Sequence, residues 1–408
     1  MNRLRIGYVV QRYGLEVNGG SEVHCRLLAE RLAHFHDVDV LTTCAIDYVT
    51  WRDEYPEGVT SLNGVSVRRF KVDYPRNNNV FNEISSRVFG GPHTEEDEIQ
   101  WMKLQGPYSS KLLAWLADHR TSYNVFIFQT YLYCTTFFGL PIVSDRAVLV
   151  STAHDEPPIY LTIFERLFQK ARYLLYLTPE EAAFLKRRFF ALDLNGEVVG
   201  LGIESRKTLD PCSEWDRMQQ QIGTCPYLLY VGRIDESKGC RILIEYFARY
   251  VTETANVDLK LVMLGKAAMT VPRHSQLLTP GFVSEMAKMQ ALHACTLLLI
   301  PSPYESLSLV ALEAWQVDKP VLVNGDCEVL RGQCIRSNGG LWYSSYTEFQ
   351  EALTFLLNDR TMAETIGRQG GEFVRRNYLW EPIEKKLNSI LHRVGRPLER
   401  DAAPSLNA

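Results

Sequence analysis

No apolar run in this 408-residue chain approaches the 18 or more residues of a membrane-spanning helix. The opening Met-Asn-Arg-Leu-Arg-Ile-Gly-Tyr-Val-Val is basic, but its apolar run is too short for a signal peptide and reads better as a first strand. There is no basic excess either. A formal net charge of −4 argues against a general nucleic-acid binder. The nine cysteines are scattered, odd in number and without a C-x-x-C pair, so neither a zinc site nor a disulfide framework is indicated. The cytoplasm is the expected compartment. G-x-G-x-x-G is missing, which speaks against a nicotinamide-dependent dehydrogenase, and no short-period repeat is visible.

What is present suits a globular protein of two domains. Hydrophobic content of 46% and charged content of 23% are ordinary for a globular protein. The length exceeds one ordinary core, so two domains of about 200 residues each are expected.

Residues 6–10 read as a buried strand, followed by a loop to Asn18, then Gly19-Gly20-Ser21-Glu22 and an amphipathic helix over 23–33. Strand, glycine loop and helix make a phosphate-accommodating turn, although a plain turn has the same residues. Asp37 and Asp39 begin the next strand. Acids at that spacing are ordinary at a solvated strand edge, whereas a divalent cation needs several oxygen ligands. Between residues 48 and 105 the pattern is irregular, which suits either a specificity insertion or a variable surface excursion. Strands over 125–129 and 147–151 come next, the second running into Thr152-Ala153-His154-Asp155-Glu156. A polar cluster at the carboxyl end of a parallel strand is where α/β folds place ligands, so His154 is a candidate substrate contact. Alternating helices and strands continue to residue 199, implying a mostly parallel sheet. Lys186-Arg187-Arg188 with Phe184, Phe189 and Phe190 has the composition of a lipid-facing patch, or of a solvated helix end.

Residues 200–224 read as a linker. A second α/β domain then opens with a strand over 227–231 ending in Gly232-Arg233-Ile234-Asp235-Glu236-Ser237-Lys238-Gly239. Arg233 and Lys238 can neutralise a diphosphate; Asp235 and Glu236 equally allow a solvated loop of mixed sign. A strand over 257–264 leads to a polar loop containing Thr279-Pro280-Gly281. The strand over 296–300 runs into Pro301-Ser302-Pro303-Tyr304-Glu305-Ser306-Leu307-Ser308-Leu309-Val310-Ala311-Leu312-Glu313. Ser306 is the expected N-cap of a helix over 307–316, with Glu313 about two turns in. Eight helical residues rise about 12 Å. Between the two carboxylates lie the unpaired N–H groups of a helix N-terminus. An anion cradle flanked by acids suits a diphosphate between two polyols, which is a nucleotide-sugar. Acids near a helix start also arise simply because the helix dipole favours them. An amphipathic helix over 380–394 ends the pattern, and the tail after Gly395 reads as disordered.

With these pieces in order the chain resembles glycosyltransferase family 4, a retaining family of GT-B fold. The E-x7-E pattern is matched by Glu305 and Glu313, and the G-R…K-G loop by Gly232-Arg233 and Lys238-Gly239. G-G-x-E is matched by Gly19-Gly20-Ser21-Glu22, and H-D by His154-Asp155. The resemblance spans residues 5 to 395. It implies an α/β architecture of two facing Rossmann-like domains with an interdomain cleft. Residues 1–205 would be the acceptor-side domain and 220–377 the donor domain, with a last helix over 378–396 crossing back.

The implied activity is retaining transfer of a hexosyl unit from a UDP- or GDP-sugar to a hydroxyl on a glycan, a glycolipid or a small glycoside. Neither a cofactor nor a metal is implied. Glu313 would hold the ribose, and Glu305 would approach the transferred sugar. Arg233 and Lys238 would stabilise the leaving diphosphate, and His154 would contact the donor sugar. Gly19 and Gly20 would let the first domain close, and amides at Ser308, Leu309 and Val310 would complete the anion site. The family often carries Phe-Gly where this chain has Leu307-Ser308, so the Ser308 side chain either crowds or hydrogen-bonds the phosphates. The alternatives are a sucrose- or trehalose-type synthase, a pyridoxal-dependent phosphorylase of the same fold, and a catalytically silent sugar-nucleotide binder. The expected partners are a nucleotide-sugar and a sugar or lipid-linked acceptor, with no nucleic acid and with peripheral membrane contact as an option.

Overall fold

A computed structural model describes residues 2–17, 19–204 and 210–395 of the chain. Residue 205 of the expected first domain, residue 396 of the expected last helix and the tail beyond it lie outside the described residues. The chain divides into two compact units, Met1–Leu201 with Glu384–Ala408, and Gly202–Ile383.

In the first unit, alternation of apolar strand and amphipathic helix produces an eight-stranded sheet. Its strands are β1 (Arg5–Val9), β2 (Asp37–Thr43), β3 (Gly58–Leu62), β4 (Val65–Phe70), β5 (Val125–Gln129), β6 (Ala147–Val150), β7 (Tyr173–Tyr176) and β8 (Gly196–Val198). Their order is β3-β4-β2-β1-β5-β6-β7-β8. Only the β3–β4 pair is antiparallel. Ile6 pairs with Val38 on one side and Val125 on the other. Near-continuous apolar runs such as Phe126-Ile127-Phe128 are fully buried, as a parallel sheet covered on both faces requires.

The stretch read as irregular, 48–105, is more ordered than its composition suggests. It contains β3, β4 and the helices Asn78–Gly90 and Glu95–Gln105. Asn77 accepts hydrogen bonds from the Asn79 and Val80 amides. Thr94 and Asp97 form a reciprocal capping box. Asp37 pairs with Arg3, and Asp39 with Arg5 and the Tyr123 hydroxyl. These are partners of an ordinary strand start.

The helix Trp380–Val394 begins in the second unit and belongs to the first from Glu384 onward. There Leu387, Ile390 and Leu391 are buried, Glu384 pairs with Arg31, and His36 bonds Asn388 at 2.7 Å. Of the three aromatics in the suggested lipid-facing patch, Phe184 and Phe189 are buried, and Phe190 is 87% exposed. Among the described residues no helix is long and apolar enough to cross a membrane.

The second unit is built on six parallel strands: β9 (Tyr227–Val231), β10 (Lys260–Leu264), β11 (Leu277–Gly281), β12 (Leu297–Ile300), β13 (Val321–Asn324) and β14 (Gly340–Tyr343). Their order is β11-β10-β9-β12-β13-β14. The chain steps outward twice from β9, then returns to its other side, so the order reverses between β9 and β12. Two segments correct the sequence reading. The polar stretch at Thr279-Pro280-Gly281 is part of β11, an edge strand, where a sheet tolerates a proline. Part of the supposed linker is the helix Ser213–Ile222, which buries Trp215, Met218 and Ile222.

His24, on the helix Gly20–Leu32 of the first unit, is 3% exposed. Burial lowers its imidazole to about 4, outweighing the opposing effects of Gln129 and the Gly200 backbone. The unfolded chain therefore holds one more proton than the native chain between about 6.5 and 4. Stability from this group is complete above about 6.5 and declines as pH falls, by about 3 kcal/mol in all. Urea midpoints taken from pH 7 to pH 4.5 should show this loss, and His24→Gln should remove most of the slope.

Candidate active site

Reversal of strand order opens a crevice outside the carboxyl ends of β9 and β12, where open α/β sheets place ligands. The loops leaving these two strands carry the charged residues singled out from the sequence. After β9 the backbone turns at Gly232, with φ of 151°, and the Tyr230 hydroxyl donates to the Arg233 carbonyl at 2.7 Å. Asp235 organises the next turn of the loop. It pairs with Arg233 Nε, accepts from the Ser237 hydroxyl at 2.6 Å and accepts from the Lys238 amide at 3.0 Å. Burial pushes its carboxyl up, but these hydrogen bonds and the Arg233 charge together hold it below the usual carboxylate range.

Gly239 has φ of +73°, and a Cβ placed on it would stand 2.4 Å from the Pro301 carbonyl oxygen. A side chain is therefore excluded on both backbone and steric grounds. That close approach brings the loop after β9 against the loop after β12. Lys238 Nζ lies 2.9 Å from Glu305 Oε1, a half-buried ion pair.

The helix after β12 starts later than its sequence suggests. It runs Leu309–Gln316 with Ser308, not Ser306, at the N-cap. Leu307 is buried, at 8% exposure, and belongs to the loop. Glu313 is consequently in the second turn of a short helix, and the 12 Å rise of an unbroken helix does not apply between it and Glu305. Leu312 N donates to the Ser308 carbonyl at 3.3 Å. The N–H groups of Leu309 and Val310 precede that bond and have no acceptor within the helix.

Lys288 escaped sequence reading. It lies on the helix Glu285–Ala294, and its ammonium is 2.8 Å from Glu313 Oε1 and 2.9 Å from Glu285 Oε2. Burial works against its charge, but the two carboxylates outweigh that and raise it above the usual lysine value. A partner 25 positions away leaves no local signal.

In the first unit, the loops after β1 and β6 carry the remaining candidates, with β5 between those strands. Gly20 faces open space, whereas a Cβ on Gly19 would stand 2.3 Å from the Glu22 carboxylate. Glu22 itself is buried, accepting from Gln11 Nε2 at 2.9 Å and from the Arg12 guanidinium at 2.5 Å. This glutamate ties the start of the helix to the loop after β1. His154 Nε2 lies 3.4 Å from Glu156 Oε2, and the Tyr131 hydroxyl donates to the other oxygen of Glu156 at 2.7 Å. Buried Glu181 accepts from the Ser151 hydroxyl and from the amides of Ala153 and Leu177, pinning the segment that bears His154. The structure thus assembles Arg233, Lys238, Glu305, Ser308, Leu309, Val310 and Glu313 in one unit, and Gly19, Gly20 and His154 in the other.

Residues 213–373 match the family model described as glycosyl transferases group 1. The uncharacterized glycosyltransferase MJ1607 of Methanocaldococcus jannaschii is 22% identical over 437 residues, covering 95% of this chain and 97% of that protein. Among solved structures, sucrose-phosphate synthase from Thermosynechococcus elongatus is similar with a TM-score of 0.69. It is 18% identical, and the match covers 96% of this chain and 99% of that one. HepE of Anabaena, solved in complex with UDP-glucose, is similar with a TM-score of 0.66 at 13% identity, covering 96% and 100%. At such identities the solved structures speak for the fold, which is GT-B with two Rossmann-like units. The family match and the archaeal relative support a glycosyltransferase.

Lys288→Met leaves the half-buried Glu313 carboxylate without its cation. We expect a stability loss of about 1–3 kcal/mol, read from denaturant melts. Glu313→Gln introduced beside it should restore much of that loss, since the uncompensated charge is then gone.

Proposed function

We propose that the protein is a retaining hexosyltransferase of family-4 type that takes its sugar from a UDP- or GDP-sugar. The observation that carries this reading is the Lys238–Glu305 pair joining the loops after β9 and β12, with Arg233 on the first loop and an uncapped helix bearing Glu313 after the second. Glu313 takes the ribose hydroxyls, and Glu305 faces the transferred sugar. Arg233, Lys238 and the amides of Ser308, Leu309 and Val310 hold the diphosphate and stabilise the charge that grows on it as the glycosidic bond breaks. These cations supply what a divalent ion supplies elsewhere, so no metal is required. The acceptor hydroxyl attacks the anomeric carbon on the face the diphosphate leaves. The departing phosphate oxygen takes the acceptor's proton, so configuration is kept without a protein nucleophile.

The second unit is the donor side and the first the acceptor side. In the first unit, His154 is the residue assigned to the donor sugar, and Gly19 and Gly20 form the turn that lets this unit close. The acceptor is a hydroxyl of a glycan, a glycolipid or a small glycoside. The enzyme works in the cytoplasm, and exposed Phe190 beside Lys186 and Arg187 is the surface suited to peripheral membrane contact.

A thermal-shift screen with UDP, GDP, ADP and TDP and their hexose conjugates tests donor recognition. One base should raise the melting temperature, as about 2.7 kcal/mol of stabilisation at a hundred times the dissociation constant requires. Arg233→Ala should abolish the shift, and a flat response to every nucleotide would sink the proposal.

Once the donor is known, Glu305→Gln should lower kcat by about a hundredfold or more while changing donor affinity only about threefold, as loss of a contact made chiefly in the transition state demands. Full activity after exhaustive EDTA treatment is expected; its loss would return Asp37 and Asp39 to consideration as metal ligands.

A further inference from the structure

Ser308 stands at the N-cap of the helix Leu309–Gln316, yet its side chain accepts no hydrogen bond from that helix. The residue is 2% exposed, and its hydroxyl has no hydrogen-bond partner among the described residues. Elsewhere in the chain the same kinds of residue do cap. Ser109, Ser284, Ser345, Thr94, Thr178, Asn77, Asp235 and Asp359 each accept from an amide of the helix they open. A buried hydroxyl without a partner is costly, and native chains rarely leave one.

The position of this hydroxyl suggests a reason. A capping oxygen would occupy the amides of Val310 or Ala311, which an anion at the helix N-terminus also needs. With the cap withheld, neither the hydroxyl nor the helix amides are committed to each other. The neighbouring loop places the Lys238 ammonium in the same corner, where it pairs with Glu305 and can be shared with an anion.

We propose that Ser308 Oγ–H donates to a phosphate oxygen of the donor's diphosphate, and that this chain leaves the helix uncapped in order to keep the hydroxyl for that ligand. This rests on the nucleotide-sugar reading above and assigns the side chain a task that the glycine common at this position in the resembling family cannot perform. Ser308 is then a donor-binding residue whose unliganded state is slightly destabilised. Loss of the hydroxyl separates the two effects, because a structural cap and a ligand contact predict opposite changes in the unliganded protein.

The test uses the full chain with calorimetric titration of UDP and of GDP, together with melts in the absence of nucleotide. For whichever nucleotide binds the wild type, Ser308→Ala should weaken binding about tenfold to a hundredfold, the usual effect of losing a hydrogen bond to a charged group. Its melting temperature without nucleotide should be equal or higher. Ser308→Gly, well tolerated at an N-cap, should behave alike and keeps the test decisive if the alanine variant folds poorly. Ser308→Thr, which retains a hydroxyl, should bind within a few-fold of the wild type. Unchanged affinity in the alanine and glycine variants would overturn the inference while leaving the nucleotide-sugar reading intact. A clear drop in melting temperature without nucleotide, in both variants, would make the hydroxyl structural and overturn it as well. A wild type that binds neither nucleotide would instead remove the underlying reading, and this assignment with it.

Discussion

Contact between Gly239 and the Pro301 carbonyl is the constraint on which the rest of the site depends. β9 and β12 are neighbours in the sheet although β10 and β11 lie between them in sequence. Their parallel pairing places two loops side by side at the carboxyl ends of the strands. Those loops approach closely only because Gly239 has no side chain and adopts a left-handed backbone. The Lys238–Glu305 pair, which joins the two loops, depends on that approach. A bulkier residue at 239 would part the loops and disperse the charges, even with every charged residue retained.

Much of this was legible in the sequence because each strand, loop and helix is a local pattern. The strands at Val125–Gln129 and Tyr227–Val231 coincide with their apolar runs, since a strand buried on both faces leaves no polar interruption inside it. The order of the strands is not local, so the reversal between β9 and β12 became visible only in the structure. Residues 48–105 misled for a different reason. One helix there opens on the Asn77 cap and the other on an acidic first turn, and the capping box at Thr94 was the available signal. β11 was hidden by Pro280, which tells against a central strand and is silent about an edge.

At the site, residue types were legible but register and pairing were not. Glu305 and Glu313 stand out by spacing, yet the helix between them begins at Leu309 because Leu307 is drawn into the core. Ser306 and Ser308 are equally good N-caps on composition, and the chain uses the second without its side chain. The Lys288–Glu313 pair was invisible because it joins two helices, and helix-to-helix pairing leaves no periodic trace. In the first unit Glu22 belongs to a motif suggestive of ligand contact, but its carboxylate is consumed by Gln11 and Arg12. Its contribution is to tie the helix start to the loop after β1.

The charges of the second unit are arranged in pairs before any ligand arrives: Arg233 with Asp235, Lys238 with Glu305, Lys288 with Glu313. Such pairing holds long side chains in place and limits the cost of gathering like charges in a half-buried crevice. It also means that an anionic ligand gains less than the full attraction of each cation, because it competes with a carboxylate already present. Asp235 engages Arg233 through Nε and so acts from the side, orienting the guanidinium. Glu305 holds the ammonium of Lys238 itself, so a diphosphate drawing on Lys238 loosens Glu305 at the same moment. Under the proposed reaction that exchange is useful: the carboxylate released by the phosphate becomes available to the sugar beside it. Donor binding and the readiness of Glu305 are then two sides of one ion-pair exchange, which ties the acid to the occupied state of the site.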